Sequence, residues 1–152
     1  MNARPFRRGD FVWCAFPQHE APAQPGPRHL GYTVAVFGAT SPGAGHDFSA
    51  LVAYTTSQPW TQAVCPPGVF VFDRQTAVGF GQARAFVLDL RRLAFVPITP
   101  AWFPWLDQPG GDIQGRASAH WQQQLKQTAE NLLTRRPEVI ERLGPLWPGG
   151  RR

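Results

Sequence analysis

The chain has 152 residues, of which 43% are hydrophobic and only 16% charged, and this composition excludes an intrinsically disordered protein. The 15 glycines and 16 prolines exclude a long coiled coil and disfavour a helical bundle, so we expect one compact domain of short strands joined by turns. The formal net charge of +5 favours a polyanionic partner such as nucleic acid or an acidic protein. The alternative is a compositional bias toward arginine, because Lys126 is the only lysine.

The cysteines and the N-terminal residues predict a cytoplasmic location. Cys14 and Cys65 lie far apart without a second cysteine or paired histidines at ligand spacing, which disfavours zinc and predicts two reduced thiols. The basic segment Met1–Arg8 is not followed by an apolar stretch, and no run approaches the length of a membrane span. We therefore expect neither a signal peptide nor a contact with a membrane.

Runs rich in β-branched and aromatic residues predict strands along the first hundred residues. The predicted strands cover residues 10–16, 32–37, 49–56 and 69–72, followed by a hairpin of 85–90 and 93–97 around Arg91-Arg92. Residues 17–31 contain four prolines and are predicted to form a long surface loop, which is uncommon in a compact domain unless it binds something. Five or six short strands with turns between them favour a small, curled antiparallel barrel.

The last third of the chain predicts a connector and two helices. Residues 99–115 are rich in Trp, Pro and Gly, and their segment Trp102–Trp105 either forms an exposed aromatic docking surface or packs the C-terminal helix onto the barrel. Residues 118–133 carry an apolar stripe behind the N-cap candidate Ser118, and a second short helix is expected over Pro137–Leu143. We thus divide the chain into a barrel over 1–105 and, over 106–152, a connector, C-terminal helices and a basic tail packed on the same domain.

The inventory of reactive side chains narrows the possible chemistry. Nucleophilic catalysis by serine is disfavoured because no G-x-S-x-G is present, and the carboxylates are too scattered to predict a two-metal site. A catalytic pair among the loop histidines is conceivable, although such histidines are mostly solvated. Of the four histidines, His19, His29 and His46 lie in predicted loops, and His120 lies at the start of the predicted helix.

One constellation of residues could handle a phosphate. The proline-rich loop carries Arg28 and His29, while Thr55, Thr56 and Ser57 stand at the end of the third predicted strand. In a small barrel these two places can lie close together, so that an arginine would bind a phosphate to which hydroxyls donate hydrogen bonds. The alternative is that the threonines only provide turn chemistry at a strand end.

Several segments in this order resemble the MazF/PemK family of bacterial toxins. They are Gly9-Asp10-Phe-Val-Trp13 with Phe16-Pro17, the loop Pro25-Gly26-Pro27-Arg28, and Val52-Ala-Tyr-Thr-Thr-Ser-Gln58, within a likeness that spans roughly residues 8–105. The resemblance implies a mainly β fold, an SH3-like barrel with C-terminal α-helices, and a homodimer that is bound by a cognate antitoxin. It also implies an endoribonuclease that needs no metal or other cofactor, in which the 2′-hydroxyl of single-stranded RNA attacks the neighbouring phosphorus and leaves a cyclic phosphate.

Carried over residue by residue, the resemblance assigns catalysis to Arg28 and Thr56, with Thr55 as the alternative if the register shifts by one. His29, Ser57 and Gln58 are then expected to contact the RNA. The sequence departs from the family at the Arg-Pro that precedes the second strand, because Leu30-Gly31 stands there and Arg28 falls two residues early. This departure leaves a second hypothesis open, a barrel without catalytic activity that binds nucleic acid or a protein partner.

Overall fold

The structure, a computed structural model, describes residues 4–39, 45–107 and 111–148. Within these ranges the chain is mainly antiparallel β-sheet, with seven strands and two α-helices. The elements are β1 Asp10–Ala15, β2 Arg28–Gly38, β3 Phe48–Thr56, β4 Val69–Phe72, α1 Arg74–Gly79, β5 Phe86–Pro97, β6 Ile113–Arg116, α2 Ala119–Arg135 and β7 Glu141–Leu143. Neither helix in the described parts of the chain is long and apolar enough to cross a membrane. The predicted basic tail, Arg151-Arg152, lies outside the described residues.

All seven strands belong to one sheet. Six of them follow the order β4-β5-β3-β2-β1-β6 with antiparallel pairing, and β7 adds to β5 in parallel. The first and last strands of this order are β4 and β6. The segment after α1 connects them, because the Arg116 amide at the end of β6 donates to the Phe80 carbonyl at 3.0 Å. Close by, the Gln82 side chain donates to the Gln114 carbonyl at 3.0 Å. The outer side of β6 is therefore covered by a loop rather than left exposed.

The sheet buries a core on each face. The helix-side core includes Phe11, Tyr32 and Leu88, and α2 covers it with the apolar stripe that the sequence predicts. The buried members of that stripe are Leu125, Ala129 and Leu132. The connector-side core includes Cys14 and Val52 and is covered by Trp102 and Phe103 from residues 99–107. The aromatic connector thus packs on the sheet face opposite α2, so the expectation that it packs that helix onto the sheet is wrong.

Several predicted elements require correction. The strand β2 begins at Arg28 rather than at residue 32, so that Arg28 and His29 are strand residues and not loop residues. The predicted hairpin around Arg91-Arg92 is instead the single strand β5, and the predicted helix over 137–143 is one 3₁₀ turn, Pro137–Val139, followed by β7. The short helix α1 and the strand β6 were not predicted.

Candidate functional site

A cavity of about 290 Å³ opens between the proline-rich loop and the ends of β2 and β3. Its walls combine aromatic rings with titratable side chains, which suits a ligand that has both a ring and a charge. They include Phe16, His19, Arg28, His29, Tyr54 and Arg92. Arg28 and His29, two of the six predicted site residues, therefore line a common cavity.

Strand register explains how residues distant in sequence meet in this cavity. Residue Gly31 of β2 pairs with Tyr54 of β3, so His29 lies beyond that pair at the end of both strands. In β5 the partner of Ala53 is Leu93, whereas the partner of the next residue, Tyr54, is Asp89. The intervening residues of β5 form a bulge that places Arg92 beside Tyr54.

A stack of three side chains forms one wall of the cavity. The rings of His29 and Tyr54 are nearly parallel, with centroids 4.6 Å apart and an interplanar angle of 4°. The Cζ atom of Arg92 lies 4.1 Å from the Tyr54 centroid, and its Nε lies 3.2 Å from Oε1 of Glu141 in an ion pair. The other carboxylate oxygen of Glu141 is 2.6 Å from Nδ1 of His19. The C-terminal strand β7 therefore holds two basic residues of the cavity wall in place.

The hydrogen bond of His29 indicates which of its ring nitrogens carries the proton. Its Nε2 lies within hydrogen-bond distance of the Thr55 carbonyl oxygen. Because a carbonyl oxygen only accepts, Nε2 must carry the proton, and Nδ1 of the neutral ring keeps a lone pair. His29 is thus built as an acceptor at Nδ1, which is the property that a general base requires.

Arg28 contacts two tryptophans at the rim of the cavity. Its Cζ atom is 4.5 Å from the ring centroid of Trp13 and 5.1 Å from that of Trp105. The side chain is exposed, and within the described residues it makes no hydrogen bond or ion pair. The arginines Arg91, Arg92, Arg116 and Arg136 each have a carboxylate partner. Among the described residues, Arg28 therefore has no carboxylate partner.

The two threonines at the end of β3 differ in surroundings. Thr55 is buried, and its hydroxyl donates to the Leu30 carbonyl at 2.7 Å. Thr56 is half-buried, and its hydroxyl accepts from the Gln58 amide at 3.2 Å. Ser57 and Gln58 are exposed beyond the strand, and none of these four residues lines the cavity. The structure therefore groups Arg28 with His29 but does not bring the predicted hydroxyl groups into the same cavity.

The departure at Leu30-Gly31 has a structural explanation. The partly buried Leu30 side chain packs against the helix-side core. A Cβ atom on Gly31 would lie 2.3 Å from Cγ1 of Val52, so the close approach of β2 to β3 leaves no room for a side chain. A proline therefore does not fit at position 31 without a shift of Val52, and Arg28 is the nearest arginine along the strand.

Sequence reasoning missed much of the cavity. The sequence predicts no site role for Tyr54, Arg92, Trp13 or Trp105, although Trp13 and Tyr54 stand in segments that carry the family resemblance. One signal was available, since Arg91-Arg92 interrupts an apolar strand and charged pairs are rarely placed there without partners. The contact of Glu141 with His19 joins residues separated by 122 positions, and no local pattern predicts it.

The described residues contain no group of three or more His, Cys, Asp or Glu side chains that could hold a metal ion. Cys14 is buried, and burial raises the pKa of its thiol far above the usual range, which makes it a poor nucleophile. The chain matches no protein-family model, and no curated protein is significantly similar to it.

Proposed function

We propose that this protein is a metal-independent endoribonuclease that cleaves single-stranded RNA, as its resemblance to the MazF/PemK toxins implies. The observation that carries the proposal is that Arg28, which has no carboxylate partner among the described residues, and His29 line one cavity. A cation and a base are the two groups that attack by a 2′-hydroxyl requires. The net charge of +5 further favours a polyanionic substrate.

The proposed reaction is a transesterification. Nδ1 of His29 takes the proton of the 2′-hydroxyl, O2′ bonds to the adjacent phosphorus, and the bond from phosphorus to O5′ breaks. The leaving O5′ takes a proton from water, so the products are a 2′,3′-cyclic phosphate and a 5′-hydroxyl end. Arg28 stabilises the negative charge that develops on the phosphoryl oxygens. Thr56, whose hydroxyl is less buried than that of Thr55, is the better candidate for a hydrogen bond to the RNA.

The proposed fold is an SH3-like barrel. The bridge from Phe80 to Arg116 supports closure, because it connects the strand ends that the antiparallel pairing leaves apart. The proposal further includes a homodimer, a cognate antitoxin and a cytoplasmic location. The free thiols of Cys14 and Cys65 suit a reducing compartment.

A second candidate function is RNA or protein binding without cleavage. Two observations favour it: the Thr55 hydroxyl is already bonded to Leu30, and Thr56 does not line the cavity. In that case the cavity and Arg28 would bind the RNA or the protein partner without taking part in a reaction.

The test is incubation of a long unstructured RNA with the purified protein in excess EDTA, followed by mapping of the product ends. We expect cuts at a recurring short motif that leave cyclic phosphate. His29→Gln keeps a donor toward the Thr55 carbonyl but has no titratable nitrogen, so we expect a loss of about 10²–10⁴-fold in rate. Arg28→Ala is expected to lose about 10²–10³-fold, and Thr56→Ala is expected to lose activity as well.

Two matched variants control for charge and for histidine content. Arg136→Ala removes a cation that is paired with Glu138 on the surface, and His46→Ala removes a histidine that contacts Ser49 outside the cavity. Both are expected to cleave like the wild type. Intact RNA bound by a well-folded wild type would favour the binding function, and cleavage that survives Arg28→Ala, His29→Gln and Thr56→Ala would place the site elsewhere.

A further inference from the structure

Two aromatic rings lie close to the guanidinium group of Arg28. The distances from Cζ to the centroids of Trp13 and Trp105 are 4.5 Å and 5.1 Å, within the range of a cation–π contact. Arg28 contacts both rings and is nevertheless exposed to solvent. Such an arrangement limits the rotation of a side chain that would otherwise sample many rotamers.

The two tryptophans are fixed through one residue, Asp112. The Trp13 amide donates to the Asp112 backbone carbonyl at 2.8 Å, and the Trp105 amide donates to Oδ1 of the Asp112 carboxylate at 2.9 Å. Asp112 is itself buried, and burial raises the pKa of its carboxyl group. One buried residue therefore joins the backbone of β1 at Trp13 to the backbone of the connector at Trp105.

The free N–H groups of Arg28 indicate which ligand it can take. A guanidinium group presents N–H donors in a planar fork, which matches two oxygens of a phosphate. Among the described residues the N–H groups of Arg28 have no acceptor.

We propose that Trp13 and Trp105 act as positioning residues that hold Arg28 at the cavity rim, where its N–H groups bind a phosphodiester of the RNA. This inference rests on the proposed function and deepens it, because it assigns a role to the connector outside the segments that carry the family resemblance. The bound phosphate lies at the cavity rim beside His29, which also lines the cavity.

The experiment measures binding of a single-stranded 2′-O-methyl RNA oligonucleotide, which lacks the attacking hydroxyl, by fluorescence anisotropy at several salt concentrations. Trp105→Leu is expected to weaken binding about fivefold without changing the salt dependence, since the charge of Arg28 remains. Trp105→Phe keeps a ring and is expected to bind within about twofold of the wild type. Arg28→Gln is expected to reduce the slope of log K against log salt by about 0.7, the value for one phosphate contact on a single strand.

The matched control is Trp60→Leu. Trp60 also lies near an arginine, with Cζ of Arg91 at 6.0 Å, but that arginine is paired with Asp89 and does not line the cavity. This variant is expected to bind RNA like the wild type. In the free protein, the NMR order parameter of the Arg28 Nε–H group is expected to fall in Trp105→Leu and to be retained in Trp105→Phe.

Each other outcome overturns the inference in a distinct way. Unchanged RNA affinity and an unchanged order parameter in Trp105→Leu would show that the tryptophan does not position Arg28, while the proposed function would stand. A loss that phenylalanine does not restore, with an unchanged order parameter, would assign Trp105 to direct contact with a base. Competition by a glutamate-rich peptide at the same concentration as RNA would assign Arg28 to a carboxylate partner. A wild type that binds no RNA would remove both the inference and the proposed function.

Discussion

Thr55 and Thr56 are chemically identical neighbours whose roles are separated by the alternation of β3. Successive side chains of a strand point to opposite faces, so only one of the two can share a face with Tyr54. Thr55 belongs to the face of the helix-side core, where its hydroxyl bonds to the Leu30 carbonyl. Thr56 lies on the other face and is partly open to solvent. The hydroxyl of Thr55 therefore stabilises the contact between β3 and β2, whereas the hydroxyl of Thr56 is accessible to a ligand.

We predict that the two threonines respond differently to substitution by valine. Thr55→Val removes the donor to a buried carbonyl and is expected to lower the free energy of unfolding by about 1–2 kcal/mol. Thr56→Val loses only a partly exposed contact and is expected to change it by less than about 0.5 kcal/mol. Urea unfolding followed by tryptophan fluorescence measures both. Thr55→Ser, which keeps the hydroxyl, is the control, and equal stability of all three variants would contradict the structural role of Thr55.

At the scale of elements, the strand β5 contains two charged residues, Arg91-Arg92, that interrupt its apolar sequence and form a bulge rather than a turn. A two-residue hairpin turn favours residues with positive φ, such as glycine or asparagine, and Arg91-Arg92 provides neither. Instead the Asp89 carboxylate accepts hydrogen bonds from the Arg91 backbone amide and from its guanidinium group, each at 2.9 Å. This contact stabilises the bulge that turns Arg92 toward Tyr54. The predicted hairpin was wrong because its turn chemistry was absent.

The close approach of β2 and β3 leads to a second prediction. Gly31→Ala would place its Cβ atom against Cγ1 of Val52 and is expected to lower the free energy of unfolding by about 1–3 kcal/mol. Val52→Ala alone leaves a cavity in the connector-side core and also destabilises. The double variant is expected to be more stable than the sum of the two losses, because the new methyl group occupies the vacated space. Chemical denaturation of all four proteins closes the cycle, and simple additivity would contradict the packing described.

At the scale of the whole molecule, the sequence predicts what local patterns encode. The strands β1, β3 and β4 and the helix α2 follow from apolar runs and from the stripe ending at Leu132, and all four agree with the structure within about two residues. β6 was missed because it forms by pairing with β1 about a hundred residues away, as in Asp10 with Arg116. The residues that line the cavity meet through the register of β2, β3 and β5, which the sequence does not reveal. Arg28 and His29 are therefore the only lining residues that were predicted as site residues. The barrel, the RNA substrate and the roles of the site residues stay predictions.

The segment after Arg136 was predicted as a helix because Pro137 suits a first helical turn and Gly144 suits an end. The chain makes only a 3₁₀ turn, because Glu141–Leu143 gain more by pairing with β5 and burying Leu143 in the connector-side core. The Gly144 amide then donates to the Pro22 carbonyl at 2.6 Å. The segment formed by β7 and Gly144 therefore holds the proline-rich loop against the sheet at the edge of the cavity.

This connection predicts the effect of ending the chain at Arg136. Such a truncation exposes the surfaces that Ile140 and Leu143 cover and is expected to cost about 3 kcal/mol or more of unfolding free energy. It also frees the loop at Pro22, so limited proteolysis should cut within residues 17–27 well before the rest of the chain. Glu141→Gln separates the contribution of the ion pairs from that of the strand, because it breaks the ion pairs with His19 and Arg92 but keeps β7. We expect it to lower the free energy of unfolding by less than about 1 kcal/mol, because these groups are partly exposed. If Glu141→Gln were as protease-sensitive as the truncation, the loop would be held by charge rather than by the strand. If both resisted cleavage like the wild type, the C-terminal segment would have no part in holding the cavity.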